Sequence, residues 1–285
     1  MNILYLIFGD RLSDHLQARL SIITFMRQMR PHDRIFVVTT SPQYYGGIGP
    51  VSPLPVTDDT IKEWEGPLHF FWRVKIKAMQ HLLSIRPGED MLYLDSDTFL
   101  RGDYAALCSR LEQGGGLMHL DEGHPSGMKS RSLRMWRQVR GRTYAGVTIG
   151  PGHTMWNAGV VGLPGARAAE ALELALAVCD GMLADGAERR VIEQYALSIA
   201  LRETVGLAPA EPWIGHYWGN KEEWNAFASA FFAREHMLGR TAADECADLD
   251  TDALRRIPLR VRRSNTQRRL TNLIKRIFKD KIQDR

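Results

Sequence analysis

Residues 91–100 read MLYLDSDTFL, an apolar run that ends in the carboxylates of Asp95 and Asp97, with Ser96 between them. If the strand stays extended past Leu94, the two carboxylates point to one side and Ser96 points to the other. Converging carboxylates suit Mg²⁺ or Mn²⁺, which proteins commonly hold with one or two carboxylates and the phosphates of a substrate. The motif therefore predicts a metal site that binds a nucleotide diphosphate. A second interpretation stays open, in which both aspartates only form a turn after a buried strand.

The motif must be positioned by a strand, and the sequence offers three apolar runs of strand length, at residues 2–8, 34–40 and 91–94. Apolar residues at helical spacing between the first two runs predict a β-α-β unit. Strands without polar alternation are typical of a parallel sheet covered by helices on both faces. A helix over residues 70–83 leads into the third run, so the aspartates lie at a carboxyl strand end, where open α/β sheets bind ligands.

The rest of the chain is predicted from spacing and from Gly and Pro content. Residues 42–67 are rich in Gly and Pro and are predicted to be irregular, and residues 121–153 follow no clear pattern. Further segments are predicted as helices at 104–111, 166–183 and 189–201, and as strands at 117–120 and 155–163.

Composition indicates an ordinary globular protein, because 44% of the 285 residues are hydrophobic. Cys108, Cys179 and Cys246 lie too far apart for a zinc motif or a disulfide framework, which favours a reducing, cytoplasmic compartment. The opening MNILYLIFGD has no basic region before its apolar run, and nothing else approaches the roughly 20 apolar residues of a membrane span. We therefore expect neither an exported nor a membrane-spanning chain.

The charge is concentrated at the C-terminus. Residues 255–285 hold twelve Lys or Arg and two Asp, a net charge of +10, which leaves −6 for residues 1–254 out of the total of +4. Two parts are therefore predicted: a domain at 1–254 and a basic tail at 255–285. A high pI that describes only a tail gives little reason to expect nucleic-acid binding.

The tail has the pattern of a basic amphipathic helix. Leu270, Leu273, Ile274, Ile277 and Phe278 are spaced for one helical face, with Arg and Lys on the other. Such a helix can lie on an anionic membrane, which predicts peripheral binding to the cytoplasmic membrane face. The alternatives are that its apolar face packs on the protein body, or that it binds nucleic acid.

Four segments in the order YLDSDTFL, WNAGVVGL, EQYAL and GHYWGNKEEW resemble the retaining family 8 glycosyltransferases and their relatives of the GT-A fold. The resemblance covers roughly residues 1–225. It implies an α/β, Rossmann-like mixed sheet flanked by helices, here followed by the basic C-terminal helical tail. It also implies transfer of a hexose from a UDP-sugar to a glycan or glycolipid acceptor, with retention, in a metal-dependent reaction.

The resemblance implies a metal and phosphate site. His216 would complete the ligand set of Asp95 and Asp97, and because imidazole suits Mn²⁺ better than Mg²⁺, manganese is favoured. Lys221 would contact phosphate as a flexible point charge, and Gly219 would allow the backbone to approach the pyrophosphate. Taken alone, His216 could equally be a core or surface histidine.

The resemblance also implies residues around the reacting sugar. Asn157 would hydrogen-bond the donor sugar, although it could simply cap a turn. Asp121 would bind sugar hydroxyls, with Glu122 as the competing acid. Glu193 and Gln194 would lie beside the anomeric carbon. Because a neutral amide is a poor nucleophile, Gln194 would stabilise positive charge during front-face attack assisted by the leaving phosphate, unless the pair is only an exposed polar feature of a helix.

The remaining implied contacts are to the donor nucleotide. Lys75, with Arg73 as the alternative, would meet the diphosphate or the metal-binding acid, and Ser96 belongs to the same group. The end of the first strand, at Phe8, Gly9 and Asp10, is where the resemblance places uracil and ribose.

Two other functions stay open, and the acceptor is predicted only from composition. The Asp-x-Asp motif also matches haloacid-dehalogenase-type phosphatases, which need a later acidic cluster after an apolar strand; residues 244–252 follow no such strand. A nucleotide-sugar binding protein without transfer activity is the other alternative. Residues 121–153, with Trp136 and several arginines, are predicted to form the acceptor side and would suit an anionic acceptor.

Overall fold

The three apolar runs of the sequence are neighbouring strands of one sheet in the computed structural model, which describes residues 1–128 and 131–261. In these ranges the strands are β1 (Asn2–Ile7), β2 (Arg34–Thr39), β3 (Val51–Pro55), β4 (Met91–Leu94), β5 (Thr98–Leu100), β6 (Gly116–Met118), β7 (Asp121–Gly123), β8 (Thr143–Tyr144), β9 (Val147–Thr148), β10 (Met155–Trp156), β11 (Val160–Leu163), β12 (Leu207–Pro209) and β13 (Ile214–His216).

Helices connect most of these strands. In the same ranges they are α1 (Leu12–Met26), α2 (Asp58–Trp64), α3 (Arg73–Ile85), α4 (Tyr104–Glu112), α5 (Arg131–Val139), α6 (Ala168–Ala184), α7 (Ile192–Thr204), α8 (Lys221–Met237), α9 (Ala242–Asp248) and α10 (Thr251–Arg256).

The main sheet has seven strands in the order β12-β6-β11-β4-β1-β2-β3. The antiparallel strand is β11, which pairs with β4 and β6, whereas the other pairings in this sheet are parallel. Both faces are covered. On one face Leu4 and Val38 belong to a cluster with α3, α6 and α7, and on the other Ile3 and Val37 belong to a cluster with α1 and α4. The predicted α/β class, with a mixed sheet flanked by helices, is confirmed.

Segment predictions succeed where hydrophobic periodicity is strong and fail where proline or a short break hides an element. Residues 42–67 were predicted to be irregular but contain β3 and α2. Because β3 is the edge strand of the sheet, the prolines Pro53 and Pro55 are tolerated there. The single strand predicted over 155–163 is two strands, β10 and β11, separated by residues 157–159, and residues 121–153 include α5.

The start of the predicted tail contacts the protein body. The carbonyl of Pro258 accepts hydrogen bonds from Nδ2 of Asn220 (2.7 Å) and Nε1 of Trp224 (3.1 Å), and the Arg260 guanidinium lies 4.9 Å from the ring centroid of Trp218. The helix predicted around residues 270–278 lies outside the described residues.

Within residues 1–128 and 131–261, every helix falls short of the length or the hydrophobicity that crossing a bilayer requires.

Candidate active site

A cavity of about 800 Å³ opens at the carboxyl end of β1 and β4. Parallel strands end at one sheet edge, so residues that follow different strands meet there. The predicted site residues that line this cavity are Phe8, Gly9, Asp10, Lys75, Asp95, Ser96, Asp97, Asn157, Glu193, Gln194, His216 and Lys221.

The aspartate motif forms a turn rather than a continued strand. β4 ends at Leu94, β5 begins at Thr98, and the hydroxyl of Thr98 donates to the carbonyl of Asp95 (2.8 Å). The strand does not stay extended past Leu94, and the aspartates form the turn that the second interpretation allowed. The carboxylates of Asp95 and Asp97 nevertheless converge, because ligand atoms of both residues and of His216 lie within 4.8 Å of one another.

Asp97 is buried between two basic groups. Its Oδ1 lies 3.2 Å from Nε2 of His216, and its Oδ2 lies 2.9 Å from Nζ of Lys221. Burial raises the pKa of Asp97, but the hydrogen bonds and charges of His216 and Lys221 outweigh burial and hold that pKa well below its usual range. Asp97 is therefore an ionised carboxylate that could serve as a metal ligand, and not a proton donor.

His216 faces a hydrogen-bond acceptor at each ring nitrogen. Nδ1 lies 3.1 Å from Oδ1 of Asn157, and Nε2 faces the Asp97 carboxylate. The Asn157 side chain can only present its oxygen, because its Nδ2 donates to Glu122 (3.1 Å) while its Oδ1 accepts from the backbone of Gly159 (3.1 Å). An imidazole that binds a metal ion is neutral and keeps one proton, so with an ion at Nε2 the proton on Nδ1 would satisfy Asn157. A divalent cation beside Nε2 would satisfy the other acceptor, the Asp97 carboxylate, so the donor set of two carboxylates and an oriented imidazole fits Mn²⁺.

Lys75 lies behind Asp95 in a buried cluster. Its Nζ is 3.1 Å from Oδ1 of Asp95, 3.2 Å from Oε1 of Glu193 and 3.0 Å from the carbonyl of Ala158. Burial lowers the pKa of Lys75, but the two carboxylates more than compensate and raise it above its usual value. Burial also raises the pKa of Glu193. Lys75 therefore neutralises the charge of Asp95 and Glu193.

Arg73, the alternative to Lys75, has a structural role. Its guanidinium makes two parallel hydrogen bonds to Asp180 on α6 (2.8 and 3.0 Å) and one to the carbonyl of Trp64 (2.8 Å). Paired in this way, Arg73 joins α3 to α6 and does not line the cavity.

Gln194 and Asn157 are joined by Glu122. Nε2 of Gln194 donates to Oε2 of Glu122 (3.1 Å), whose Oε1 accepts from Asn157. The carbonyl oxygen of Gln194 lies 3.4 Å from the backbone nitrogen of Ala158. The amide orientation of Gln194 is therefore fixed by one acceptor and one donor.

Asp121 and Gly219 do not line the cavity. Alternation along β7 sends Asp121 and Glu122 to opposite sides, and Asp121 accepts hydrogen bonds from Gly123 (2.8 Å) and Thr154 (3.3 Å). A Cβ at Gly219 would lie 2.9 Å from Cγ of Arg260, so the absence of a side chain there accommodates Arg260. The geometry therefore favours Glu122 over Asp121 and separates Gly219 from the cavity.

The residues at the end of β1 form another part of the cavity wall. Gly9 adopts a left-handed φ of 77°, which glycine tolerates, and its carbonyl accepts hydrogen bonds from His15 (2.9 Å) and Ser41 (3.0 Å). The ring of Phe8 packs edge-on against Phe71 at 5.3 Å. This part of the cavity is therefore held by α1 and by the segment after β2.

The lining residues that were not predicted from the sequence include Tyr93, Arg190 and Trp218. The Tyr93 hydroxyl donates to Oδ1 of Asp95 (2.9 Å), and Trp218 and Arg190 lie on the cavity wall. Tyr93 could have been found, because it lies two residues before Asp95 on a strand and so shares its side. Trp218 and Arg190 follow from tertiary packing alone.

Comparisons with known proteins give distant structural similarity. A scan against models of protein families gives no match, and a search of curated protein sequences gives none. The galactosyltransferase LgtC, solved in complex with donor and acceptor sugar analogs, matches over 73% of this chain and 73% of its own, at 12% identity and a TM-score of 0.43. Mouse xyloside xylosyltransferase 1, in its apo form, matches over 73% of this chain and 85% of its own, at 11% identity and a TM-score of 0.46.

Proposed function

We propose that the chain is a metal-dependent glycosyltransferase that transfers a hexose from a UDP-sugar to a glycan or glycolipid acceptor with retention. One observation carries the proposal: Asp95, Asp97 and His216 converge in a cavity at the carboxyl edge of the sheet, next to Lys221. Carboxylates with an imidazole bind Mn²⁺ or Mg²⁺, and the ion and a lysine together bind a diphosphate.

The metal and the basic groups divide the work on the diphosphate. When bound, the ion would neutralise negative charge that develops on the departing UDP. Lys221, at the first residue of α8, would move from Asp97 to a phosphate, and the helix N-terminus favours an anion at the same place. Lys75 would neutralise part of the negative charge of Asp95.

Gln194 is proposed to lie beside the anomeric carbon. Its amide is held by Glu122 and by Ala158, so its dipole would be fixed before the sugar binds. Glu193 is buried against Lys75 and is proposed to position that lysine rather than attack the sugar. Because no carboxylate would act as the nucleophile, the acceptor would attack the anomeric carbon on the face that the diphosphate leaves, assisted by the leaving phosphate. The anomeric configuration would therefore be retained.

The acceptor is proposed to be anionic. Helix α5 contacts the turn Arg189–Val191, whose Arg190 and Val191 line the cavity. The exposed face of α5 carries arginines and no acidic residue. An acceptor that bears carboxylate or phosphate groups would suit this side of the cavity mouth.

The phosphatase alternative is disfavoured by the state of Asp97. In that mechanism the second aspartate donates a proton, whereas two basic neighbours hold the pKa of Asp97 far below neutral pH. The acidic cluster that this mechanism would also need was sought at residues 244–252. These residues lie on or beside α9 and α10 and do not line the cavity.

The experiment that tests the proposed activity is donor hydrolysis and transfer. Purified protein is incubated with Mn²⁺ and a panel of UDP-hexoses, and UDP release is measured for wild type, Gln194→Ala and the exposed control Gln113→Ala. We expect release with one or few donors, strongly reduced in Gln194→Ala alone. With methanol as acceptor, NMR should show a methyl glycoside of the donor's anomeric configuration; the opposite anomer would contradict retention, and no release from any UDP-hexose would contradict the donor class.

We also propose that the basic tail binds an anionic membrane at the cytoplasmic face. The net charge of residues 255–285 supports this. Deleting residues 262–285 leaves the contacts of Pro258 and Arg260 in place and should release the protein from anionic vesicles in a flotation assay. Unchanged flotation would contradict membrane binding by the tail.

A further inference from the structure

A second cavity, of about 310 Å³, lies between the end of α1, the end of β5 and the start of α10. It shares no lining residue with the candidate active site. The polar side chains that line it belong to Thr24, Arg27, Gln28, Arg101, Thr251 and Arg255. Among its described lining residues none is acidic, so three positive charges surround one concave space.

Two of the arginines are held in place by backbone carbonyls. Nη1 of Arg27 donates to the carbonyls of Cys246 (2.6 Å) and Leu249 (3.1 Å), and Nη2 of Arg255 donates to the carbonyl of Arg101 (3.2 Å). These neutral acceptors position the guanidinium groups without cancelling their charge. Arg255 also forms an ion pair with Asp252, whose Oδ1 lies 3.4 Å from Nη1 and which does not line the cavity.

Arg101 is the third cation. Its backbone nitrogen donates to the carbonyl of Trp213 (2.9 Å), but its guanidinium has no hydrogen bond or ion pair within the described part of the chain. Like charges around one cavity repel each other, and an anion in their midst relieves the repulsion. Arginine in particular binds phosphate oxygens through parallel N–H groups.

We propose that this arginine pocket binds a phosphate group. Its volume corresponds to about ten water molecules, enough for phosphate and part of the molecule that it esterifies. The proposal goes beyond the transferase site and stands if that function fails. The phosphate can come from free phosphate in solution or from a lipid headgroup, because Arg255 is also the first residue of the basic tail.

The test uses the full chain in EDTA, which keeps divalent metal from the first cavity. Inorganic phosphate is titrated calorimetrically into wild type, Arg101→Gln and the control Arg167→Gln, at an exposed arginine that lines neither cavity. Because the Arg101 guanidinium has no hydrogen bond or ion pair to lose within residues 1–128 and 131–261, the variant should fold as wild type does, which circular dichroism checks. We expect Arg101→Gln to weaken phosphate binding about tenfold and Arg167→Gln to leave it unchanged.

A second arm distinguishes the two sources. The same proteins are floated with phosphatidylcholine vesicles that contain either phosphatidic acid, a phosphate monoester, or phosphatidylglycerol, to which the basic tail is attracted as well. A preference for phosphatidic acid that is lost in Arg101→Gln assigns the pocket to a lipid headgroup. If only the binding of inorganic phosphate depends on Arg101, the pocket is assigned to a free anion. If neither binding depends on Arg101, the proposal is overturned.

Discussion

At the scale of residues, the candidate site depends on the hydrogen bonds that orient His216 and Asn157. His216 is aimed by Asn157, and Asn157 is itself fixed by Gly159 and Glu122. Groups that orient a metal ligand in this way tune its affinity as strongly as the surroundings of the ion itself. We therefore expect the amide of Asn157 to support metal binding, in addition to the sugar contact expected from the family resemblance.

Replacing Asn157 by Leu removes the acceptor for Nδ1 of His216 and should weaken Mn²⁺ binding at saturating UDP about tenfold to a hundredfold. Asn157→Asp keeps an acceptor at this position and should retain most of the affinity. The electron paramagnetic resonance signal of free Mn²⁺ measures both. Equal affinity in wild type and Asn157→Leu would show that His216 is not oriented by Asn157.

Individual site residues could be predicted where their role depends on residue type. They could not be predicted where the role depends on the direction of the side chain. Asp95, Asp97, His216 and Lys221 meet as expected from the sequence. Asp121 and Glu122 are adjacent acids, and only the pairing of β7 with β10 decides which of them faces Gln194 and Asn157. Sequence alone could not distinguish them.

At the scale of elements, the site depends on the break between β10 and β11. One continuous strand was predicted there, but residues 157–159 leave the ladder, and this places Asn157 beside His216 and the carbonyl of Ala158 beside Lys75. Gly159 makes the close approach possible, since a Cβ there would lie 2.1 Å from Cε1 of His216. Hydrophobic periodicity does not report such short interruptions, which is why the break was missed.

Gly159→Ala should displace the His216 ring and reduce Mn²⁺-dependent UDP binding about tenfold or more, with a loss of about 1–3 kcal/mol in the free energy of unfolding from overpacking. Gly127→Ala is the matched control, because a Cβ there meets no atom within 4 Å. Calorimetric UDP titration and urea unfolding provide the two readouts. Wild-type binding by Gly159→Ala would mean that the ring position is not required.

At the scale of the whole molecule, the sheet and its two covered faces could be predicted, because long apolar runs and intervening helical periods report burial directly. The edge strand β3, with its two prolines, and the packing of α8, α9 and α10 beyond the sheet could not. The latter join α1 through a third cluster that includes Leu20, Ile23 and Trp224, contacts that are remote in sequence. Residues 258–261 extend this region toward Trp218 at the cavity wall.

Buried Asp33, just before β2, ties distant elements together, and its titration should be visible in stability. Its Oδ2 accepts from the Tyr104 hydroxyl on α4 (2.9 Å) and from Nε of Arg30 (3.2 Å). Burial raises the pKa of Asp33, but hydrogen bonds from Arg30 and other donors lower it to about 2. Because the folded pKa lies below the unfolded value, the stabilisation is present above about pH 4 and is lost as pH falls toward 2.

Asp33→Asn should therefore lower the free energy of unfolding by about 2 kcal/mol at pH 7, and by only about 1 kcal/mol at pH 3. Urea unfolding of both proteins at the two pH values measures the difference. Asp59→Asn, at an exposed position on α2, should show no such pH-dependent difference. If the difference in the free energy of unfolding between wild type and Asp33→Asn were the same at both pH values, a lowered pKa of Asp33 would be contradicted.

Asp95, Asp97 and His216 are proposed to hold a divalent cation that binds a nucleotide diphosphate. Isothermal titration of UDP into wild type, Asp97→Asn and the surface control Asp59→Asn, each with and without Mn²⁺, tests this proposal most directly. We predict UDP binding that requires Mn²⁺ in wild type and control and is weakened about a hundredfold or more in Asp97→Asn. Failure of wild type to bind UDP with Mn²⁺, or equal binding by Asp97→Asn, would contradict it.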